Sequence, residues 1–404
     1  MMGNLAAFRP TRFLWALGGL LFLSCSSDYD YTRVAEDLVD IHEVVECEFE
    51  PTEGGWESYT CVPVFSTSDE GTQPWEAGAI GGFDILEQRI FGAPFYQLFY
   101  SGSSGDSGSD VGYALSMDGV EWRRHPSNPV LRRDDGQGAF DRDDVTVACA
   151  AFDGDLGIYH LWYTGTNSER RGTLFGHATS TDGVAWTKDL FNPIDPLEDS
   201  ASALDRVWGC DALYEDGKLH FWVSGVNHMG ASIISQQEWL ESTVYDVGYL
   251  STTDGTRFDG PGGLVLEHQG LEGDAFDAEG VHGPSVFAYV DGDDEEPTYY
   301  MLYSGYHRVT AVQDPSSDLV WIEKEGLRLG MASSASPDTG WTRLLDGPVP
   351  LDFSGEDLAE NPRAFFINGR LHVFFNDVFT TELGDTISGI GLGISPFPVT
   401  DEGL

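Results

Sequence analysis

The feature that most constrains the fold is a pattern that recurs at a fixed distance along the chain. Residues 159–186 read YHLWYTGTNSERRGTLFGHATSTDGVAW, which gives an aromatic run, a glycine, small alternating residues, an Asp-Gly pair and a tryptophan. Several of these positions have counterparts 64 residues earlier; the pairs are Gly112/Gly176, Asp118/Asp182, Trp122/Trp186 and Asn128-Pro129/Asn192-Pro193. Agreement of so many positions at one spacing indicates a repeated structural unit.

Three further segments carry weaker versions of the same pattern, at residues 219–258, 299–341 and 371–395. Aromatic alternation bounded by Asp-Gly turns is typical of antiparallel hairpins. Each unit offers four strands in about 60 to 80 residues, and helical periodicity is almost absent. We therefore predict an all-β fold, a five-bladed β-propeller with four-stranded antiparallel blades. The recurring tryptophans and tyrosines are expected to pack between neighbouring blades.

The predicted propeller is a single domain spanning residues 46–404. Its blades cover approximately residues 70–131, 132–196, 197–267, 268–350 and 351–398. The fifth unit lacks an outer strand, whereas residues 56–65 are strand-like and contain Pro63, which is typical of a sheet edge. We expect this N-terminal strand to complete the last blade and close the ring.

The N-terminus is typical of an exported protein. Residues 1–24 combine two arginines, no acidic residue and the apolar run FLWALGGLLFL, a secretory signal too short to span a membrane comfortably. Cys25 follows Leu23-Ser24 as in bacterial lipoproteins, which predicts lipidation there and a flexible tether over residues 25–45. The prediction is a lipid anchor in the bacterial cell envelope, with Ser26 favouring the outer membrane; ordinary secretion is the alternative.

The net charge of −46 excludes some partners. So acidic a chain repels nucleic acid and anionic membrane surfaces, so we expect membrane contact only through the lipid anchor. The acids are spread along the whole chain, which favours a solvated acidic surface over a specific cation site. A monomer is expected.

Four cysteines remain after Cys25. In an oxidising compartment Cys47 and Cys61 could pair, as could Cys149 and Cys210, which precede equivalent strands of adjacent units. Buried free thiols are the alternative for the second pair. The spacing shows no zinc-site pattern.

The candidate functional residues precede the inner strands, whose starts converge at one mouth of a propeller. Each blade brings a carboxylate there; the candidates are Glu76, Asp143, Asp144, Asp211, Glu279 and Glu360, together with His282, Arg363, Trp75 and Trp208. Two carboxyl groups, one protonated and one ionised, are what glycoside hydrolysis requires. The same acids could instead hold a cation or hydrogen-bond the strand starts.

The blade segments YHLWYTG, GHATSTDGVAW, YYMLYSG and GPSVFAYVDG resemble the five-bladed propeller glycoside hydrolases, the arabinanase, invertase, levansucrase and mannoside phosphorylase families 43, 32, 68 and 130. The resemblance covers roughly residues 70–395. It implies a glycan-facing funnel in which the first three blades carry a base or nucleophile, a positioning acid and a general acid.

Carried onto this sequence, the resemblance implies Glu76, or alternatively Asp84, as base or nucleophile. Asp144 and Asp211 would be the positioning and acid groups, with Asp143, Glu279 and Glu360 as alternates. His282, Arg363, Trp75 and Trp208 would contact substrate, and His282 could also hold a cation. The family's Glu-x-Pro appears only at Glu360–Pro362 in the fifth blade, and His282 stands two residues before Pro284.

No cofactor is certain from the sequence. The loops 105–110 and 291–296 are rich in oxygen ligands suited to Ca²⁺, although they lack the EF-hand pattern. The predicted function is therefore a cell-envelope lipoprotein that hydrolyses or binds a poly- or oligosaccharide through carboxylates at the funnel. The alternative is a non-catalytic surface lipoprotein that binds a glycan or a protein on the same scaffold.

Overall fold

A computed structural model describes most of the chain after residue 48. The described residues are 49–52, 55–59, 63–105, 108–168, 170–197, 204–227, 244–259, 263–270, 275–290, 296–313, 320–345, 347–351, 360–367, 369–380 and 386–395. Cys47–Leu404 forms one compact unit. Every regular element in the described residues is a β-strand, which confirms the predicted all-β class. None of them forms a helix long and apolar enough to cross a bilayer.

The strands group into an N-terminal segment and five units that follow the repeats. The N-terminal strands are β1 (Phe49–Pro51), β2 (Glu57–Tyr59) and β3 (Phe65–Ser66). Unit 1 contains β4 (Ala79–Ile90), β5 (Ala93–Ser103), β6 (Asp110–Ser116) and β7 (Arg123–Arg124). Unit 2 contains β8 (Asp144–Asp153), β9 (Ile158–Asn167), β10 (Arg170–Ser180) and β11 (Thr187–Lys188).

Units 3 to 5 complete the series. Unit 3 contains β12 (Leu204–Glu215), β13 (Lys218–Asn227), β14 (Val244–Thr252), β15 (Phe258–Asp259) and β16 (Leu264–Leu266). Unit 4 contains β17 (Gly280–Tyr289), β18 (Thr298–Tyr306), an added hairpin of β19 (Arg308–Gln313) and β20 (Val320–Glu325), β21 (Arg328–Ser334) and β22 (Thr342–Arg343). Unit 5 contains β23 (Glu360–Ile367), β24 (Arg370–Thr380) and β25 (Thr386–Ile394).

In units 1, 2 and 5, successive strands pair antiparallel; in unit 3, β15 and β16 both pair with β14, and in unit 4, β18 pairs with β21. We call the first strand of each unit its inner strand, because the first strands of neighbouring units contact one another. A single parallel bridge, Tyr245 to Gly280, joins units 3 and 4 into one sheet. The N-terminal strands β2 and β3 both pair antiparallel with β25, so the segment predicted around residues 56–65 adds to unit 5.

In each unit, a glycine lies opposite a bulky residue of the second strand. These glycines are on β6, β10, β14, β21 and β25. The opposed pairs are Tyr100/Gly112, Tyr163/Gly176, Val223/Gly248, Tyr303/Gly330 and Phe375/Gly391. A Cβ on Gly112 would lie 2.3 Å from Tyr100 Cζ, because the ring lies across the glycine. In units 1, 2, 4 and 5 the recurring Gly is therefore required by the close approach of an aromatic ring.

The Asp-Gly turns of the repeat are hydrogen-bonded loops. In unit 2, Asp182 Oδ1 accepts from the N–H groups of Val184 and Ala185 at 2.8 Å each, and Ser180 Oγ accepts from Gly183 N at 2.9 Å. Such side-chain acceptors satisfy turn N–H groups that have no strand partner. The same geometry recurs around Asp118 and Asp254.

Each of these turns packs on the preceding unit. Trp186 of unit 2 contacts Phe99 of unit 1 edge to face, with ring centroids 5.4 Å apart. Indole N–H groups of units 2 and 3 donate to the following turns, Trp162 to Gly255 O at 2.8 Å and Trp222 to Pro337 O at 2.9 Å. The turn of unit 1 lies against unit 5, since a Cβ on Gly119 would be 2.5 Å from Ile367 Cδ1. The repeated aromatics are thus packing residues between units.

Candidate functional site

All five inner strands are irregular at the same level. The antiparallel register shifts between Ile80 and Phe83, Val147 and Cys149, Val207 and Gly209, His282 and Ser285, and Glu360 and Arg363. Such β-bulges turn carbonyl groups out of the sheet and often lie at functional sites. The five bulges therefore mark this level of the inner strands as the region of a candidate functional site.

Arg363 connects the five inner strands at this level. Its side chain is 5% exposed and donates to carbonyls of four strands; these bonds are to Ala148 (2.9 Å), Cys210 (3.0 Å), Pro284 (3.2 Å) and Pro362 (2.8 Å). Its Nε donates to Asp84 Oδ1 of unit 1 at 2.8 Å. Arg363, predicted as a substrate contact, therefore has its guanidinium engaged by the protein itself.

Asp84 and Asp211 are the buried acids beside Arg363. Asp84 also accepts from Ala150 N at 2.6 Å, and Asp211 accepts from Ala212 N and Val286 N. Burial raises the pKa of both carboxyl groups, that of Asp211 to about 6, although the Arg363 charge opposes the rise. Both acids tie one inner strand to the next, which favours a structural role over the predicted catalytic one.

Glu76 is the fully buried member of a repeated cluster. Its Oε2 accepts from Tyr100 OH at 2.6 Å and pairs with Arg124 Nε at 3.1 Å. Trp75 beside it stacks on Tyr100 with ring centroids 6.1 Å apart. Neither side chain is positioned as the sequence analysis expected, because both pack into the body of unit 1.

Units 2 and 4 contain equivalent clusters of an acid, a tyrosine and a cation. The members are Asp141, Tyr163 and Lys188 in unit 2, and Asp277, Tyr303 and Arg343 in unit 4. Burial, followed by the adjacent carboxylate, raises the pKa of Tyr100, Tyr163 and Tyr303. The buried carboxylates before these inner strands therefore have a structural role, since each joins a tyrosine to a cation within its unit. We call the three sets the edge triads.

The partly exposed candidate acids begin inner strands or precede them. Asp144 accepts from Ser109 N and Thr166 Oγ1, both at 2.9 Å. Asp143 accepts from Ser168 N, which lowers its pKa. Glu279 and Glu360 stand at the starts of β17 and β23. These four acids remain the candidates for any carboxylate chemistry.

His282 and Trp208 lie at the junction of units 3 and 4. The His282 ring is 5.9 Å from the rings of both Tyr245 and Tyr306. Half-buried Trp208 packs against the buried cluster that contains these two tyrosines, Val226 and Leu327. A Cβ on Gly209 would lie 3.9 Å from His282 Cε1. Both predicted residues therefore border the same buried cluster.

Sequence reasoning missed two amides next to His282. Asn361 approaches Gly283, whose Cβ would lie 3.0 Å from Asn361 Oδ1. Asn376 lies 3.5 Å from the Asn361 amide and donates to Gly81 O at 3.0 Å. A signal was present, because unit 5 reads Asn376-Asp377 where the other units read Ser/Thr-Gly.

Together these residues line a polar and aromatic region on the strand-start side of Arg363. We call it the central mouth, formed by Gly81, Thr146, Trp208, His282, Asn361 and Asn376. On each inner strand, the residue that belongs to the mouth comes shortly before the residue that contacts Arg363. The contacting residues are Asp84, Ala148, Cys210, Pro284 and Pro362. At this level the inner strands carry imidazole, amide and indole groups next to the buried Arg363.

Other predicted sites have mixed outcomes. Cys149 and Cys210 form a disulfide between the inner strands of units 2 and 3. Cys25, Cys47 and Cys61 lie outside the described residues, as do most of loop 291–296 and part of loop 105–110. Within the described ranges, no group of three or more His, Cys, Asp or Glu side chains could hold a metal ion, around His282 or elsewhere.

Comparison with solved structures identifies the class of fold. The protein is similar to BT0996 in its complex with RGII (15% identity, TM-score 0.52, covering 80% of this sequence and 89% of that one). It is also similar to a glycoside hydrolase (14%, 0.54, 93% and 98%) and to a thermostable family-43 glycoside hydrolase (15%, 0.51, 81% and 91%). The resemblance to propeller glycoside hydrolases is thereby confirmed at the level of the fold. No known protein family and no curated protein matches the sequence.

Proposed function

We propose that this protein binds carbohydrate at the central mouth, on a ring of five blades closed by its N-terminal strands. Fold likeness alone does not carry function, so the proposal depends on the site. The observation that carries it is that half-buried Trp208 and His282 border the same tyrosine cluster, while the Asn361 amide lies beside Gly283 and 3.5 Å from Asn376. Aromatic surface with a few converging hydrogen-bonding groups is what a hydroxyl-rich, neutral ligand requires.

Contacts between units 5 and 1 support the closed ring. Ser388 of β25 donates to Ile80 O at 2.7 Å, and Asn376 donates to Gly81 O. Arg124 of unit 1 lies over the Phe65 ring at 4.0 Å and donates to Ser66 O, which ties unit 1 to the N-terminal strand β3. Deleting residues up to 66 should therefore lower the stability of units 1 and 5, as measured by hydrogen exchange.

Binding is favoured over catalysis by the state of the buried acids. Glu76, Asp84 and Asp211 each accept at least two hydrogen bonds, and Glu76 and Asp84 also form ion pairs. A catalytic acid or base has to reach the proton that it transfers. Buried carboxylates that already accept these hydrogen bonds have a structural role.

The test is a binding screen of the purified protein against plant and microbial polysaccharides, followed by calorimetry. We expect Trp208→Ala and Asn361→Ala to weaken binding at least tenfold. The matched control is Phe191→Ala, an aromatic that is 80% exposed outside the mouth, which should leave affinity unchanged. Failure to bind any glycan, or unchanged affinity of folded Trp208→Ala, would contradict the proposal.

Hydrolysis is the second candidate, and a specific observation favours it. Asp144, Glu279 and Glu360 are partly exposed at the starts of three inner strands, where two of them could flank a glycosidic bond. Turnover of nitrophenyl glycosides or polysaccharides that is lost in Asp144→Asn, Glu279→Gln or Glu360→Gln would establish an enzyme. Absence of turnover with retained binding would exclude it for those substrates.

We further propose that Cys25 is lipidated and that residues 25–45 tether the protein to the outer membrane of a bacterial cell. The support is the sequence of the N-terminal segment. Incorporation of a labelled fatty acid should be abolished by Cys25→Ser. Labelling that persists in this variant would contradict the proposal.

A further inference from the structure

We propose that the turn between β4 and β5 inserts into a zwitterionic lipid bilayer and holds the anchored protein with its mouth facing away from the membrane. This inference rests on the proposed lipidation of Cys25 and adds a second contact to it. Three features carry it: an exposed phenylalanine in a strained turn, the side of the molecule on which that turn lies, and the place where the N-terminal chain joins unit 5.

The β4–β5 turn has an unusual residue for its backbone conformation. It consists of two residues, Phe91 and Gly92, whose φ angles of 51° and 86° both lie in the left-handed region. Unit 3 forms its own first turn in the same way with Asp216 and Gly217, at 49° and 77°. Asp, Asn and Gly tolerate this conformation, whereas a bulky aromatic residue rarely adopts it. The hairpin itself therefore gives no reason for a phenylalanine at this position.

The Phe91 side chain is also almost fully in water. It is 96% exposed, and Ile90 before it is exposed as well. Arg89 at the base of the turn is 64% exposed and pairs with Glu87 at 2.7 Å. Apolar side chains with a cation behind them suit a bilayer surface, where the apolar groups enter the acyl region and the cation stays among the phosphates. Insertion would remove from water an apolar surface that the folded protein leaves uncovered.

The turn lies on the side of the molecule opposite the central mouth, which we call the far side. Inner strands of neighbouring units run in the same direction: a Cβ on Gly82 would lie 2.4 Å from Val147 O, and two residues on, Asp84 accepts from Ala150 N. Corresponding contacts join units 3 and 4 and units 4 and 5. Because the mouth residues lie near the starts of these strands, the turns at their ends lie on the far side.

Exposed apolar side chains are concentrated at far-side turns. The third strand of a unit runs parallel to the first, since both pair antiparallel with the second, so the turn after the third strand is also on the far side. Five of the eight large exposed apolar side chains in the described residues belong to such turns; they are Ile90, Phe91, Met117, Leu156 and Val290. The far side therefore offers more apolar contact than any other side of the described structure.

The N-terminal chain joins unit 5 near the far side. β2 begins at Glu57, which lies opposite Ile394 at the end of β25 and pairs with Arg370 at the start of β24. In β1, Phe49 lies opposite Tyr59, two residues or about 7 Å from that end. The proposed tether thus reaches the folded units close to the side that carries the exposed turn. A flexible tether allows many orientations, and insertion of the turn would select one.

Charge decides which lipid the far side can meet. Exposed acids lie at its turns; they are Asp118, Asp155, Asp216 and Asp254. These acids, in a chain of net charge −46, repel anionic headgroups. A zwitterionic surface has no net charge, so the repulsion that excludes anionic membranes does not exclude it. Binding through apolar insertion should also persist at high salt, in contrast to binding through charge.

The decisive variant is Phe91→Asn. Asn-Gly favours the same two-residue turn, so this variant should fold at least as well as the wild type. The matched control is Phe191→Asn, which removes an aromatic that is 80% exposed beyond β11, where the chain runs back towards the start of β10. Both are made in the mature chain that begins at residue 25 and carries Cys25→Ser, so that no lipid anchor masks the effect.

Co-sedimentation with vesicles of phosphatidylcholine and phosphatidylethanolamine measures the contact. We expect Phe91→Asn to weaken partitioning at least fivefold, and Phe191→Asn to leave it unchanged. Adding phosphatidylglycerol to the vesicles should weaken partitioning at low salt. In the lipidated protein, a photoreactive benzoylphenylalanine at position 91 should cross-link to lipid, and the same group at position 191 should not.

The outcomes separate this inference from the proposed lipidation. Unchanged partitioning of Phe91→Asn, or equal cross-linking to lipid from positions 91 and 191, would overturn the inference. Cross-links from position 91 to another protein in place of lipid would show a protein partner and overturn it as well. Absence of the fatty-acid label from the wild type would overturn the lipidation alone, because the vesicle result is obtained without an anchor.

Discussion

Units 1, 2 and 4 share the strand framework of units 3 and 5, yet the two groups are stabilised by different chemistry. The first group has the edge triads, in which a buried acid joins a tyrosine to a cation on the outermost strand. In units 3 and 5 the tyrosine position holds Val223 and Phe375, which cannot accept or donate a hydrogen bond there.

Other links stabilise units 3 and 5. The inner strand of unit 3 is joined to unit 2 by the Cys149–Cys210 disulfide. Unit 5 places Arg363 at the meeting point of the inner strands and gains β2 and β3 from the N-terminus. Where an edge triad is present, the acid before the inner strand therefore has a structural role. Most of the mouth residues lie instead in units 3 to 5, of which only unit 4 has an edge triad.

The largest effect is expected at Arg363. Arg363→Met should lower the free energy of unfolding by about 4 kcal/mol, because buried Asp84 loses its ion-pair partner and buried Asp211 loses a nearby positive charge. Urea denaturation measures it. Arg370→Met, an exposed arginine paired with Glu57, is the control and should cost under about 0.5 kcal/mol. Similar losses in both variants would refute the central role of Arg363.

The Cys149–Cys210 disulfide should contribute almost as much as Arg363 to the free energy of unfolding. Replacing Cys149 and Cys210 together with alanine opens a loop of 61 residues, for which chain entropy gives a loss of about 4 kcal/mol. The double variant is preferable to reductant because it leaves Cys47 and Cys61 untouched. A change below about 1 kcal/mol in the free energy of unfolding would mean that unit 3 is held by packing alone.

Breaking one edge triad is expected to have the next largest effect. Glu76→Gln leaves the Arg124 guanidinium, 5% exposed, without its buried counter-charge and should cost about 3 kcal/mol. Thermal and urea unfolding measure the loss, and glycan binding of the folded fraction should be unchanged. Unaltered stability combined with lost carbohydrate turnover would instead restore the predicted catalytic role of Glu76.

The boundary between units 2 and 3 should respond to acid. His160 Nδ1 lies 3.0 Å from His177 Nε2, facing Asp153, Asp189 and Asp254, and burial followed by the His160 charge lowers the pKa of His177 to about 4. A lowered pKa means that the folded state binds the proton less well, so up to about 3 kcal/mol of stability is lost as pH falls from about 6.5 to 4.

The variant His177→Phe isolates this effect. The difference between wild-type and variant unfolding free energies, measured from pH 4 to 7, should follow the histidine titration. The raised pKa of Asp211 acts with the opposite sign, because its ionised form is disfavoured in the folded state and stability is lost as pH rises from about 4 through 6. The Asp211 contribution is present in both the wild type and His177→Phe, so it cancels in the difference. A difference that does not change with pH would therefore contradict the prediction for His177.

The smallest effect compares two glycines. Gly176→Ala drives a Cβ to 2.5 Å from Tyr163 Cζ of the unit 2 triad and should cost about 2 kcal/mol. At the equivalent position of unit 3, Gly248→Ala approaches Leu204 Cδ1 at 3.1 Å, the end of a flexible side chain, and should cost under about 1 kcal/mol. Equal losses in thermal unfolding would show that the aromatic ring does not set the requirement for glycine.

Much of the framework could be predicted because it depends on neighbours in the sequence. The 64-residue spacing, the Asp-Gly turns and the alternating aromatics located the four strands of unit 2 within a few residues. The β19–β20 hairpin was not predicted from the sequence. Its strand pattern is short and has no counterpart in the other units.

The candidate site was predicted less well, because exposure and partners are not properties of a local pattern. Glu76 and Glu360 both precede inner strands, yet Glu76 is fully buried against Arg124 whereas Glu360 is partly exposed. His282 and Trp208 were selected for their positions and border the same tyrosine cluster, while Asn361 was passed over as part of a Glu-x-Pro motif.

The sequence by itself determined the repeated unit, the strand class and the turns, because those follow from side-chain periodicity over ten or so residues. Only the tertiary structure decided which carboxylates are sealed, where Arg363 lies and which residues share the mouth. Arg363 is 279 residues from Asp84, and its other carbonyl partners come from three further units. Contacts of this range leave no periodic trace in the sequence, so their roles emerge only when the inner strands converge.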